Sequence, residues 1–367
     1  MFIFTIAIQQ PSCAQVETAK SVCVMNTVTG KVVFSQNADE RLPMASTTKI
    51  MTLITALLNS NPDDVVKVSR YAAYQEGSSA YLKPDALITM RDLCYGLMLN
   101  SGNDAAVAIA EHISQNEEKF ALLMNDTANK MGVKDTNFVN PNGLHDDNHY
   151  TTAYELAKIT RYALKNDIFR EIVSSKTYTA TMTLSDGTKT DIEYINHNRL
   201  IKEVDGCIGV KTGFTKAAGR CLVSAVNRDG MQYIIVTLND SDDWNTHKKL
   251  YEEITDNSRE KLVVKAGDCM KHIISGKKEC SLVAGSDFIV YVESGHGTDF
   301  EVIKHVPKTI DFPINAGEKV GYLEIISDNE VIGTVDIIAN SDFSPDGEAH
   351  VHNCFMFTLM NILRNII

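Results

Sequence analysis

Ser46-Thr47-Thr48-Lys49 sets a hydroxyl and an amine three residues apart, and positions i and i+3 share one helix face. A serine is a weak nucleophile until a base stands within hydrogen-bond reach. A lysine serves as that base once burial or a nearby cation lowers its pKa. A helix start adds favourable potential for a developing oxyanion. The chemistry implied is nucleophilic catalysis by Ser46. Ser275-Gly276-Lys277-Lys278 repeats the spacing, but it lies in a polar turn, whereas the first copy opens a long apolar helix. Lys211-Thr212-Gly213 ends an apolar strand edge. It offers an ammonium and a hydroxyl to a carboxylate, and its glycine lets another backbone come close. Ser101-Gly102-Asn103 stands at a helix–helix junction between Leu99 and Asp104. Ser327-Asp328-Asn329 has a similar pattern, but it falls after the Lys-Thr-Gly element, among β-rich runs.

Elements must bring these groups together. Residues 21–25 and 31–36 read as a β-hairpin around Thr27-Val28-Thr29-Gly30. Residues 46–59 carry apolar positions at helical spacing behind a Ser/Thr start. Residues 91–166 are mostly helical: Asn103-Asp104 is a candidate cap, Gly132 a stop, and Thr151-Thr152 a second cap. Residues 220–227 and 232–238 read as strands joined at 228–231. Beyond about residue 258 helical periodicity gives way to short β-rich runs starting at 262, 280, 288, 300, 319 and 330. The order is β, a helical block, β, and then a small all-β domain.

Ser46-x-x-Lys49, Ser101-x-Asn103 and Lys211-Thr212-Gly213, in that order, resemble the motifs of the penicillin-binding proteins and serine β-lactamases. The runs PMASTTKIMT, LMLNSGNDAAVAIAEH, NFVNPNGLHDDNHYTTAYELA and VDGCIGVKTGFTKAAGRCLVSA are similar to the low-molecular-mass D-alanyl-D-alanine carboxypeptidases, over about residues 20–255. The resemblance implies a serine β-lactamase/DD-peptidase-like α/β (α+β) catalytic domain, with an antiparallel sheet and a helical block. It implies a peptidoglycan stem peptide ending in D-Ala-D-Ala as substrate and β-lactams as inhibitors. Ser46 is then the nucleophile, Lys49 its base, Ser101 a proton relay and Asn103 an orienting group. Lys211 and Thr212 hold the substrate carboxylate. The N–H groups of Ser46 and Phe214, beside Gly213, form the oxyanion hole. No cofactor is implied. The middle motif carries Gly102 where class A β-lactamases have Asp, and no Glu-x-x-x-Asn lies between Ser101 and Lys211. This favours a penicillin target over an enzyme that destroys penicillin. A DD-endopeptidase, a β-lactamase and a β-lactam-acylated surface sensor are the competing readings.

The chain has 367 residues with 44% apolar and 22% charged, ordinary globular usage. Its net charge of −12 repels phosphate backbones, which argues against nucleic acid as partner. Residues 1–8 are apolar and run into Pro11-Ser12-Cys13-Ala14, like the back half of an export signal. Residues 354–367 are too short to span a bilayer, but their polar residues fall on one helical face, which suits a membrane-surface anchor. The expected division is therefore a leader over 1–14, a catalytic domain over 15–257, a β-sandwich-like domain over 258–350 and an anchor helix over 354–367. The site is expected outside the cytoplasmic membrane. His145 and His149 sit four apart, but in a breaker-rich segment, so no metal is expected there. The cysteines show no CxxC pattern, so neither a zinc nor a redox motif is supported. Cys269 and Cys280 are a candidate pair.

Overall fold

A computed structural model describes residues 15–228, 230–293 and 299–354. The expected leader and residues 355–367 of the expected anchor lie outside the described residues. The described chain divides into two compact units, meeting between Glu253 and Ile254.

The first unit is built on a five-stranded antiparallel sheet in the order Val32–Gln36, Ala19–Asn26, Met231–Asp240, Gly219–Arg228, Cys207–Thr215. Its three central strands carry unbroken buried runs, such as Val22 to Met25 and Tyr233 to Leu238. A continuous apolar run of this kind marks a strand covered on both faces. The expected hairpin forms, with Cys23 opposite Ser35 and Val24 opposite Phe34.

Lys49–Asn59 is buried all round from Lys49 to Ala56, the signature of a core helix rather than a surface one. The expected helix over 46–59 therefore exists, but its first turn, Ala45–Thr48, is a tighter 3-10 turn. Met90–Leu99, Asn103–Ser114, Glu117–Lys130 and Ala153–Ala163 supply the helical block. Thr152 caps the last of these, accepting from Glu155 N at 3.1 Å. Between Lys130 and Ala153 the chain is irregular and is pinned by bridges such as Leu42 to Thr151. The hairpin of Thr177–Thr183 and Lys189–Ile195, and the helices Asp167–Ser174 and Asp243–Asn257, were not part of the sequence reading, although Ile168, Phe169, Ile172 and Val173 recur at helical spacing and Thr177–Thr183 alternates as a half-buried strand does.

Two expectations need correction. Asn103 and Asp104 do not cap the helix. Gly102 takes that position without a side-chain bond, because both acidic and amide side chains are used elsewhere. Lys211-Thr212-Gly213 does not end its strand, which runs on to Thr215 at the sheet edge.

The second unit is all-β. A six-stranded antiparallel sheet runs Glu301–His305, Lys319–Ser327, Glu330–Ala339, Lys278–Ala284, Cys269–Ser275, His350–Asn353, beside a pair formed by Ser258–Val264 and Phe288–Glu293. Both stray motifs fall in its hairpin turns: Ser275 pairs directly with Lys278, and Ser327 with Glu330. Cys269 lies opposite Val283 and Cys280 opposite Ile273, so these two do not pair. All seven cysteines among the described residues are free thiols.

Candidate active site

The core helix carries Lys49 to the centre of the first unit, where it is fully buried. Its Nζ lies 3.0 Å from Ser46 Oγ, 2.7 Å from Asn103 Oδ1 and 2.6 Å from the Asn142 carbonyl. Burial holds its pKa well below the usual lysine range. Repulsion from Lys211 adds to the effect, and Asp104 opposes it in part. A neutral amine has two N–H donors and one lone pair. Asn103 and Asn142 take the two donors, which leaves the lone pair facing the Ser46 hydroxyl. The arrangement is that of a base poised on a nucleophile.

The 3-10 turn that presents Ser46 is held from several sides. Ala45 has a left-handed backbone, φ 49°, an uncommon conformation for a residue with a side chain. Thr48 Oγ1 donates to the Ala45 carbonyl at 2.8 Å and lies 2.7 Å from His149 Nε2. His149 Nδ1 accepts from Val139 N at 3.1 Å. That bond fixes the tautomer: Nε2 carries the proton and donates to Thr48. Burial pushes His149 down to about 4, so it stays neutral. His149 thus braces the turn, while His145 is exposed at the surface.

The Asn140-Pro141-Asn142-Gly143 turn packs against the same place. Gly143 has φ 86°, and any Cβ there would overlap the Ala45 carbonyl oxygen. Gly143→Ala is expected to cost about 2–4 kcal/mol from overpacking plus left-handed strain and to slow any reaction of Ser46. Urea unfolding checks this; an unchanged midpoint would show that the turn is free to move away.

Ser101 is buried and also left-handed, φ 59°. Asn103 Nδ2 donates to Glu76 O at 2.6 Å. Asp104, buried beside it, accepts from Ser79 Oγ, Ala80 N and Leu82 N at 2.7, 2.7 and 3.1 Å. These bonds strap residues 76–82 over the Ser101 motif. A side chain on Gly102 would press on Ala80 N and Asp104 Oδ1 at 2.8 and 2.6 Å, which explains the small residue in the middle of that motif.

Gly213 brings the edge strand against the start of the core helix. A Cβ there would stand 3.0 Å from Ser46 N and 3.1 Å from Thr47 N, a tight fit that would push the strand and the turn apart. Lys211 is buried, donates to the Thr212 carbonyl at 2.9 Å, and is pushed down to about 7 by burial. Thr212 is half-buried, and the Phe214 side chain is 66% exposed at the rim.

The structure thus joins Ser46, Lys49 and Asn103 by direct hydrogen bonds, with Gly213 against Ser46 and the Lys211 charge felt at Lys49. The sequence reading missed the Asn142 carbonyl and Asp104. A backbone carbonyl has no residue-type signature; the Asn-Pro-Asn-Gly turn was its one visible trace.

Residues 7–242 match the family described as D-alanyl-D-alanine carboxypeptidase, and residues 259–344 match the penicillin-binding protein 5 C-terminal domain. The D-alanyl-D-alanine carboxypeptidase DacF of Bacillus subtilis is 33% identical over 347 residues, covering 90% of this chain and 87% of that protein. The D-alanyl-D-alanine carboxypeptidase DacC of Escherichia coli is 32% identical over 253 residues, covering 65% of this chain and 61% of that protein. Among solved structures, the carboxypeptidase DacD from Francisella tularensis has TM-score 0.65 at 27% identity, covering 92% of this chain and 96% of that one. The Streptomyces K15 DD-transpeptidase has TM-score 0.63 at 32% identity, covering 67% of this chain and 98% of that one.

Proposed function

The chain belongs to the D-alanyl-D-alanine carboxypeptidase family, and we propose on that footing that it removes the terminal D-alanine from peptidoglycan stem peptides through an ester on Ser46. The observation that carries this reading is the buried Lys49 amine, 3.0 Å from Ser46 Oγ with its other donors already occupied.

Lys49 takes the Ser46 proton as Oγ attacks the penultimate D-Ala carbonyl. The oxyanion is met by the N–H groups of Ser46 and Phe214, adjoining the Gly213 contact. The peptide C–N bond breaks. The proton passes from Lys49 by way of Ser101 to the leaving amine, and D-alanine departs. Water then attacks the ester; Lys49 again accepts a proton, and Ser46 is restored. Lys211 and Thr212 hold the substrate carboxylate. A β-lactam acylates Ser46 by the same route, but its amine stays tethered. Among the described residues no carboxylate is hydrogen-bonded to Lys49, so hydrolysis of the penicilloyl ester has no base besides the Lys49 amine.

Burial of two nearby lysines separates their tasks. Lys49 feels Lys211 on top of its own burial and gives up its proton first. Lys211 then carries the positive charge up to about pH 7. The kcat/KM profile is expected to be bell-shaped, with limbs that belong to the pair. Activity rises as Lys49 deprotonates, well below the ordinary lysine range, and falls as pH passes about 7 and Lys211 loses the charge that meets the carboxylate. Lys211→Arg keeps that charge and is expected to move the alkaline limb upward. An alkaline limb that stays in place would assign it elsewhere.

The direct test is incubation with diacetyl-Lys-D-Ala-D-Ala while free D-alanine is assayed. No release by the wild-type protein overturns the reading. A lasting fluorescent-penicillin adduct argues against a β-lactamase. Similarity to a DD-transpeptidase makes an amine acceptor the second arm: cross-linked product in place of acid would mark transfer rather than hydrolysis.

We further infer that the protein works outside the cytoplasmic membrane. The support is the apolar start at residues 1–8 and the amphipathic pattern over 354–367. Among the described residues no helix is long and apolar enough to cross a membrane. Removing 355–367 is expected to move the protein from the membrane to the soluble fraction. Retention of the shortened chain on the membrane would refute the anchor.

A further inference from the structure

The second unit contains a cluster that the acyl-transfer chemistry does not use. Cys269, His272 and Cys354 bring two sulfurs and one imidazole nitrogen within 4.8 Å of one another, the only such group among the described residues. Cys269 Sγ lies 3.4 Å from His272 Nε2, and the Cys354 sulfur lies within 4.8 Å of both. The opposite ring nitrogen, Nδ1, lies 2.7 Å from Glu279 Oε1 and 3.1 Å from Ser281 Oγ. A carboxylate at Nδ1 keeps the proton on that side, so Nε2 presents its lone pair to the sulfurs.

We propose that Cys269, His272 and Cys354 form a zinc site, with Glu279 orienting the histidine and water completing the tetrahedron. Tetrahedral zinc with sulfur at about 2.3 Å and nitrogen at about 2.0–2.1 Å sets S and N about 3.5 Å apart, close to the observed 3.4 Å. A carboxylate behind a ligating imidazole is the usual support of such a ligand. On binding, Zn2+ displaces the two thiol protons to solvent. A disulfide between the two cysteines needs neither the histidine nor its carboxylate.

The backbone explains why spacing concealed the group. Residues 269 and 272 of a regular strand face opposite sides. The pairing register shifts between Cys269 and Lys271, and a bulge there returns His272 to the side of Cys269. Cys354 arrives from the far end of the chain. Its N–H donates to the Met270 carbonyl at 3.2 Å, just after His350–Asn353 has paired with Cys269–Ser275. The metal would clamp this last strand to the sheet.

The test is titration of the reduced, metal-free full chain with Co2+, followed by competition with Zn2+. The expected result is one equivalent bound, with thiolate-to-cobalt charge-transfer absorption that zinc abolishes. Cys269→Ser and Cys354→Ser should remove the absorption, and Cys280→Ser, whose sulfur faces Asn340 and Ser341 instead, should leave it intact. Glu279→Gln should weaken zinc by about 10–100-fold while the site remains. Far-UV circular dichroism and the urea unfolding midpoint serve as the folding control for each variant. Absence of the charge-transfer band in correctly folded wild-type protein overturns the proposal. So does a band that survives both cysteine substitutions, or one that Cys280→Ser removes.

Discussion

Ser46→Ala is expected to lower D-alanine release by about a million-fold, on the scale seen when a catalytic serine is removed, and to abolish the penicillin adduct outright. Among the described residues no other group stands in for the lost hydroxyl: Lys49 Nζ is hydrogen-bonded to Ser46 Oγ, Asn103 Oδ1 and the Asn142 carbonyl. The fold should be undisturbed, because the turn is held by Thr48, His149 and Gly143 and not by the Ser46 side chain. A single-turnover assay with stoichiometric protein measures the residual rate. Release at the wild-type rate would mean that Ser46 is not the nucleophile, whatever its neighbours suggest.

Lys49→Met is the second large effect. It keeps the volume of the side chain and the nucleophile but removes the base, and general-base catalysis is worth about 10²–10⁴-fold. Acylation by fluorescent penicillin should slow by that factor. The pH profile should also change in kind. Wild-type acylation should rise as Lys49 deprotonates and fall as Lys211 loses its charge near pH 7, whereas the variant should lack the rising limb that belongs to Lys49. Stability is pulled both ways. Asn103 Oδ1 and the Asn142 carbonyl lose a donor, at about 1–3 kcal/mol for each buried acceptor left unpaired. Against this, folding no longer has to bury a lysine next to Lys211. An activity loss accompanied by little change in the urea midpoint would separate a base from a structural prop. Wild-type acylation in Lys49→Met would exclude Lys49 as the base.

Much of the site was legible in the chain. Ser46 and Lys49 are linked by local helix geometry, which depends on spacing alone. Lys211-Thr212-Gly213 and Ser101-x-Asn103 were recognisable by order and by their flanks. The stray copies at Ser275 and Ser327 were separable because they sit in polar turns, and both form hairpin corners.

Other features depend on distance along the chain. Asn142 reaches Lys49 through its carbonyl across 93 residues, and every residue except proline offers the same two backbone groups. His149 read as a loop residue, yet burial and two hydrogen bonds make it a brace for the Ser46 turn. Asn103 and Asp104 had the composition of helix caps, but tertiary contacts claimed both side chains. Cys269 and Cys280 looked like partners by proximity in sequence; a strand bulge and the last strand gave Cys269 a different neighbour, Cys354.

The sequence by itself determined which groups are available and that their order suits acyl transfer by a serine. Only the tertiary structure decided how those groups behave. A lysine is a cation in water; here the fold encloses it, sets Lys211 nearby and gives it three hydrogen-bond partners, which lowers its pKa and suits it to the proposed role of base. That change comes from desolvation and Coulomb repulsion, which depend on what surrounds a residue in space, and no local pattern in the chain records it.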